Sequence, residues 1–313
     1  MFFSVILNNF NYRDYVGPAI ESVLAQSWRD FELIVVDDGS TDGSREVIDR
    51  YRDERIKRIY KPNGGQLSCF NAAAGAVSGE VVSFLDADDL YEPEYLERLA
   101  VFYGEHHDCT CAFCRLLRFG GEREQLSVDH DRVVRWGRTA FPTAVLHLPV
   151  GAETSGCSMH AEIFRRFLPW PEGEPEWRIR ADDVLLWSAA LCGAVKYFIP
   201  ETLVRYRVHG GNGFFGRARP DPEAYARRKR AAAACCARLI PDDFPWGDVI
   251  DEELEQSRLP RRYYRRALAV RVRNKLRAGK LPGATEWKIL SALLAEIGKN
   301  RAVATDVARK FGL

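Results

Sequence analysis

Three carboxylates crowd into the four positions Asp86-Ala87-Asp88-Asp89, directly after the apolar run 81–85. Like charges this close repel, so something cationic must offset them. Magnesium or manganese takes oxygen ligands and shares them with substrate phosphates. A cation held by Asp88 and bridging a diphosphate would neutralise the charge that develops on a departing nucleotide. Asp86 is then free to bind ribose hydroxyls. One acid would be enough to cap the helix expected after Pro93, and three exceed that need. A second acidic pair, Asp37-Asp38, follows the apolar run 31–36. Asp-Gly-Ser-Thr-Asp is good turn and cap chemistry by itself, but a carboxylate there could also accept from a base NH or a sugar hydroxyl.

Positioning these acids falls to elements whose periodicity is plain. Runs 3–7, 31–36 and 81–85 are short and apolar, as buried strands require, and 56–60 reads as an edge strand. Between them, Asp14 should cap a helix reaching about Gln26, with Val16, Ile20, Val23 and Leu24 on one face. A helix after Asp42 carries Val47, Ile48 and Tyr51 inward. An Ala-rich helix over 67–77 stops at Gly79. Pro93 falls in the first turn of another helix, with Leu96, Leu99, Phe102 and Tyr103 on one side. Alternating strands and helices predict an α/β fold with a mainly parallel sheet covered on both faces. In such sheets ligands bind beyond the carboxyl ends of the strands. There the first strand ends in Asn8-Asn9-Phe10-Asn11-Tyr12, the second in Asp37-Asp38-Gly39-Ser40, and the fourth in the three acids.

Asn8 to Tyr12, the stretch 19–44, Asn63-Gly64-Gly65-Gln66 and 84–90, in this order and spacing, resemble the donor half of family 2 glycosyltransferases of the GT-A fold. The resemblance runs from residue 3 to about 213. It implies an inverting transfer from a nucleotide sugar, commonly a UDP-sugar. A divalent metal, manganese or magnesium, is implied on Asp86-Ala87-Asp88, with Asp38 at the position that reads the base. Asp182-Asp183 followed by Leu and Trp187 looks like the family's acidic pair, which places Asp183 as general base. Inversion needs a base on the face opposite the leaving group, and a carboxylate at a helix start is well fixed, although either acid could simply cap that helix. The stretch 151–159 resembles a Gly-containing loop near the donor sugar. The stretch 204–212 resembles the segment that closes over the diphosphate, with His209 a metal ligand or a donor to phosphate. The resemblance thus implies nucleotide-sugar contacts from Asn8, Phe10, Asn11, Asp38, Asn63, Gln66, Asp86, Ala87, Gly156, Asp182 and Arg207, and metal ligation by Asp88 and His209.

Residues 1–115 are then expected to form the nucleotide-sugar half, 116–218 the acceptor and catalytic half, and 219–313 a basic helical extension. Phe70 stands where some members carry an Arg near the nucleotide. Asp182 replaces the usual Glu. The Gln-x-x-Arg-Trp motif of processive synthases is missing, which favours transfer of one sugar onto a glycan or lipid-linked acceptor. A nucleotidyltransferase would want a Gly-rich basic loop after the first strand, where this chain has Asn8 to Asn11. A non-catalytic nucleotide-sugar binder is disfavoured only by Asp183.

The remaining composition is permissive. Lys+Arg is 45 against 44 Asp+Glu, which gives no reason to expect a nucleic-acid partner. No apolar run reaches 18 residues, and 1–7 is too short for a signal peptide, so a cytoplasmic protein is expected. Cys109, Cys111 and Cys114, after His106-His107-Asp108, invite a zinc site, yet in a strand the first two share one face and Cys114 takes the other. Tyr264, Leu268, Val272 and Leu276 make an apolar stripe flanked by Arg261, Arg265, Arg273 and Arg277. Such a helix either docks on the catalytic domain or touches anionic lipid at the inner membrane face. A homo-oligomer is left open.

Overall fold

A computed structural model describes residues 1–212, except 122, 128–130 and 148, together with 234–235, 238–240, 246–258, 260, 262–264, 266–268 and 270–271. The first half of the chain builds parallel strands β1 (Phe3–Asn9), β2 (Phe31–Asp37), β3 (Ile56–Tyr60) and β4 (Val81–Asp86). β1, β2 and β4 are apolar almost throughout because helices cover both faces, so alternation has no solvent side to serve. Between them lie α1 (Arg13–Leu24), α2 (Ser44–Ile48) and α3 (Gln66–Ala74). After β4 come β5 (Leu90–Tyr91), α4 (Tyr95–Glu105), β6 (Cys111–Phe119), β7 (Gln125–Leu126), β8 (Val134–Gly137) and α5 (Ala140–Leu146). Then follow β9 (Cys157–His160), α6 (Ala161–Phe167), α7 (Ala181–Leu191), β10 (Lys196–Arg207) and α8 (Trp246–Gln256).

Among the described residues ten strands join one sheet in the order β3-β2-β1-β4-β9-β6-β10-β5, with β7 on β6 and β8 on β10. The pairs β1–β2, β1–β4, β2–β3 and β6–β10 are parallel. β9 runs antiparallel to both β4 and β6 and splices the two parallel blocks together. The register sets Asn8 beside Asp86 and Asn9 beside Asp37, so the acids share one rim.

Several helix ends differ from the sequence reading. α1 begins at Arg13 and Asp14 does not cap it. The Arg13 amide instead donates to Asp42 Oδ2 at 2.8 Å, a partner from the β2–α2 turn. α3 stops at Gly75, four residues before Gly79. Gly79 serves a close approach, since a Cβ there would fall 2.5 Å from the Ser4 nitrogen. Pro93 precedes α4 and its carbonyl accepts from the Ser27 amide at 2.9 Å. Phe70 is fully buried with its ring 5.3 Å from that of Phe84, so that position belongs to the core. Cys109, Cys111 and Cys114 are buried free thiols, and no cluster of three metal-ligating side chains forms among the described residues. Burial pushes the Cys114 thiol up to about 12.

Where they are described, residues beyond 246 pack on this body. Glu253 of α8 accepts from the Ala140 amide at 2.5 Å and the Phe141 amide at 3.3 Å, capping α5 from another helix. Arg138 pairs with Glu252. Tyr264 and Leu268 are buried, which supports docking for this part of the stripe. Val272, Leu276, Arg261, Arg265, Arg273 and Arg277 lie outside the described residues. Among the described residues no helix is long and apolar enough to cross a membrane.

Candidate active site

The rim above β4 gathers the acids in a desolvated setting. Asp86 closes β4 and accepts from Gln66 Nε2 at 2.9 Å. Burial, then the neighbouring Asp88, push its carboxyl up to about 7, and hydrogen bonds from Asn8, Gln66 and Thr154 oppose this only in part. Asp89 is 1% exposed; its Oδ2 accepts from the Ser155 hydroxyl at 2.6 Å and its Oδ1 from the Arg207 amide at 2.8 Å. Burial and the charges of Asp88 and Asp86 raise it well above the carboxylate range. The Ser155 oxygen also accepts from the Asp86 amide at 3.1 Å. One hydroxyl thus ties two acids of the cluster. Ala87, expected at the donor, is instead fully buried, and its amide donates to the Asn8 carbonyl at 3.2 Å, so it supports the rim and does not face a ligand.

Asp88 faces the segment after β10. Its Oδ2 lies 3.0 Å from His209 Nε2 and 3.3 Å from Asn212 Nδ2, while Arg207 Nε donates to its carbonyl at 2.9 Å. The Gly211 amide donates to His209 Nδ1 at 3.1 Å, which assigns the ring proton to Nε2, the atom facing Asp88. The ring packs against Tyr15, 4.9 Å away, and Tyr12, 5.6 Å away. Burial first, then Asp88 and Asp86, keep the Tyr12 phenol protonated. Asp88 and His209 offer a hard carboxylate and an imidazole, a partial ligand set. That partial set fits a divalent cation whose other positions would be filled by phosphate oxygens and water. Asp86 and Asp89, pushed toward neutrality by burial first and then by their acidic neighbours, argue the same way, since a cation would offset the charge that both effects penalise.

Asp38 sits at the opposite end of the rim, and its side chain is 3% exposed. Oδ1 accepts from Lys61 Nζ at 2.5 Å and the Gly64 amide at 2.8 Å; Oδ2 accepts from the Gly65 amide at 2.7 Å and Asn63 Nδ2 at 3.0 Å. Asp38 therefore folds the loop before α3, and a base NH would have to share these oxygens with that loop. Beside it lies an open groove of about 530 Å³, lined by Ser40, Thr41, Arg45, Tyr60 and Lys61 among others. Asn11, at φ 56°, accepts from the Thr41 amide at 2.8 Å and holds the two strand-end loops together. Phe10 is 44% exposed.

α7 supplies the second acidic pair. Its cap residue Arg180 takes φ 61° and ψ 38° and makes no side-chain cap bond. Such strain in a non-glycine residue persists only where the surroundings enforce it. Arg180 Nη2 donates to Asp183 Oδ1 at 3.0 Å, and the Asp183 amide donates to Asp182 Oδ1 at 3.0 Å. Burial, then Asp183, raise Asp182 to about 7, with Asp86 adding to the shift. Gly156 packs on β6: a Cβ would meet Leu116 Cδ1 at 2.8 Å. The turn it belongs to delivers Thr154 and Ser155 to the acids.

The structure thus brings Asn8, Gln66, Asp86 and Asp182 into one cluster, Asp88, Arg207 and His209 into an adjoining one, and Asp38 with Asn63 into a third. Sequence reasoning missed Tyr12, Lys61, Thr154, Ser155 and Asn212. A hydroxyl pair inside an otherwise small-residue loop was the available signal for Thr154 and Ser155.

A family model described as glycosyl transferase family 2 matches residues 4–168, just over half of the chain. An uncharacterized glycosyltransferase of Nostoc sp. is 35% identical over 237 residues, 72% of this chain and 70% of that protein. A putative teichuronic acid biosynthesis glycosyltransferase of Bacillus subtilis, TuaG, is 41% identical over 113 residues, but these cover only 35% of this chain and 44% of TuaG. Among solved structures, Staphylococcus aureus TarS 1–349 in complex with UDP-GlcNAc has a TM-score of 0.60 at 18% identity, over 87% of this chain and 71% of that one. The mannosyltransferase PcManGT of Pyrobaculum calidifontis, in complex with GDP-Man and Mn2+, has a TM-score of 0.50 at 17% identity, over 98% and 83%.

Proposed function

The chain belongs to glycosyl transferase family 2 and is a glycosyltransferase, and from that premise we propose that it transfers a single sugar, with inversion, from a UDP-sugar to an acceptor hydroxyl. The carrying observation is the meeting, at one rim, of the Asp86–Asp89 cluster with the acidic first turn of α7, joined through Gln66. The UDP and UDP-GlcNAc complexes of TarS support the choice of donor. We assign 1–115 to donor binding, 116–218 to the acceptor side and 219–313 to an extension. The acceptor is a glycan or lipid-linked sugar.

In this reading Asp86, Asn8 and Asp182 hold donor hydroxyls, and Asp38, with Asn63 and Lys61, shapes the base site beside Phe10 and Asn11. Asp88 and His209 would hold a divalent cation, whose charge would offset that of the departing diphosphate. Arg207, fixed on Asp88 and over Tyr15, adds a cation on the same side. Asp183 accepts the acceptor hydroxyl's proton as that oxygen bonds to the anomeric carbon. The bond from that carbon to the diphosphate oxygen breaks, and the electron pair leaves with the nucleotide. Arg180 orients the Asp183 carboxylate for this task.

Two variants separate the roles. Asp183→Asn should lower turnover at least 1000-fold while manganese-assisted binding of UDP stays within threefold. Asp88→Asn should abolish the manganese-dependent part of UDP binding, read by calorimetry. Full activity in Asp183→Asn would remove that residue from its role.

A further inference from the structure

We infer that Gln66 is a positioning residue: its side-chain amide is the cap that α7 lacks, and it fixes Asp182 and Asp183 relative to Asp86. Gln66 Oε1 accepts from the Ala181 amide at 2.7 Å, while Nε2 donates to Asp86 Oδ1 at 2.9 Å and Thr154 Oγ1 at 3.1 Å. Ala181 is the first residue of α7, and its N–H is one of the groups a helix leaves without an internal partner. The helix's own cap residue, Arg180, makes no side-chain cap bond to the first turn, and this donor is met from 115 residues away. The backbone amide can only donate, which orients the Gln66 carboxamide with its oxygen toward α7 and both N–H bonds toward Asp86 and Thr154.

The two helix starts cap each other. The Gln66 amide donates to the Arg178 carbonyl at 2.9 Å and the Leu67 amide to the Trp177 carbonyl at 3.2 Å, so the chain entering α7 also satisfies the first turn of α3. Asp182 and Asp183 directly follow Ala181. A shift of the first turn of α7 moves both carboxylates against the donor-side acids, and sub-ångström placement is what a general base requires. The consequence for turnover rests on the role proposed for Asp183; the cap itself does not.

Hydrogen–deuterium exchange and kinetics on the full chain test this. Gln66→Met keeps the volume and loses all three hydrogen bonds. The peptide spanning 178–186 should then exchange at least tenfold faster while β1 is unchanged. Turnover should fall at least tenfold, with the dissociation constant for UDP and manganese within threefold. Gln66→Glu retains an acceptor for Ala181 and should keep protection of the 178–186 peptide, which preserves the test if the Met variant does not fold. Unchanged exchange in Gln66→Met, or lost protection in Gln66→Glu, overturns the cap. UDP binding weakened as much as turnover would make Gln66 a donor contact instead. Asp183→Asn run alongside identifies a failure of the base assignment separately, since that variant leaves the Ala181 amide bonded.

Discussion

Gly65→Ala should cripple the enzyme through a residue that carries no side chain. Gly65 takes φ 91° and ψ −179°, a region open essentially to glycine alone, at a cost of roughly 1–3 kcal/mol for alanine. The added Cβ would fall 2.3 Å from the Arg178 Cα, 2.7 Å from its Cβ and 2.8 Å from its carbonyl oxygen, where ordinary contact needs about 3.4–4.0 Å. These are not the far ends of flexible side chains, so the 177–180 segment must move by about 1 Å or more, an overpacking penalty of roughly 1–3 kcal/mol. The hydrogen bonds lost are those from Gln66 and Leu67 to Arg178 and Trp177, and the Ala181 cap is strained. Together the loss is about 3–5 kcal/mol, or on the order of 10 °C in melting temperature. Because the same movement displaces Asp182 and Asp183, turnover should drop at least 100-fold even well below the melting point. Gly75→Ala is the control: its φ is −75° and a Cβ there meets nothing within 4 Å, so it should be neutral or slightly stabilising. Differential scanning calorimetry with a UDP-release assay reads both variants. A Gly65→Ala protein melting within 2 °C of wild type with more than half its turnover would refute the close approach.

Two further outcomes follow from buried carboxyls. Burial raises Glu253 from 4.5 to about 7, so the folded protein holds that proton more tightly than the unfolded chain. Its contribution to stability is therefore full below about pH 4.5 and declines as pH rises through about 7, by at most on the order of 3 kcal/mol. Glu253→Gln should remove that part of the pH slope in urea unfolding between pH 5 and 8, and an unchanged slope would contradict it. Ser155→Ala removes the hydroxyl shared by Asp89 and the Asp86 amide; it should cost roughly 1–3 kcal/mol in urea unfolding, and a loss below about 0.5 kcal/mol would show that the two acids do not depend on it.

The four parallel strands and the acids at their ends were legible in the amino-acid order. Runs such as 31–36 and 81–85 carry their burial in their own composition, and Asp86 to Asp89 begins at the carboxyl end of a strand, where a parallel sheet must present it. Local chemistry also marked Asp182 and Asp183 as the start of a helix. Tertiary structure alone decided the partners. Asp14 lost its cap role to Asp42, Gly79 serves contact with β1 instead of ending α3, and Phe70 went into the core. Lys61 came to Asp38, Ser155 came to two acids of one cluster, and Gln66 bridged Asp86, Thr154 and Ala181. Spacing along a chain encodes turns and buried faces, whereas a hydrogen bond between residues 66 and 181 exists only once β9 has spliced the two parallel blocks and set their loops against each other.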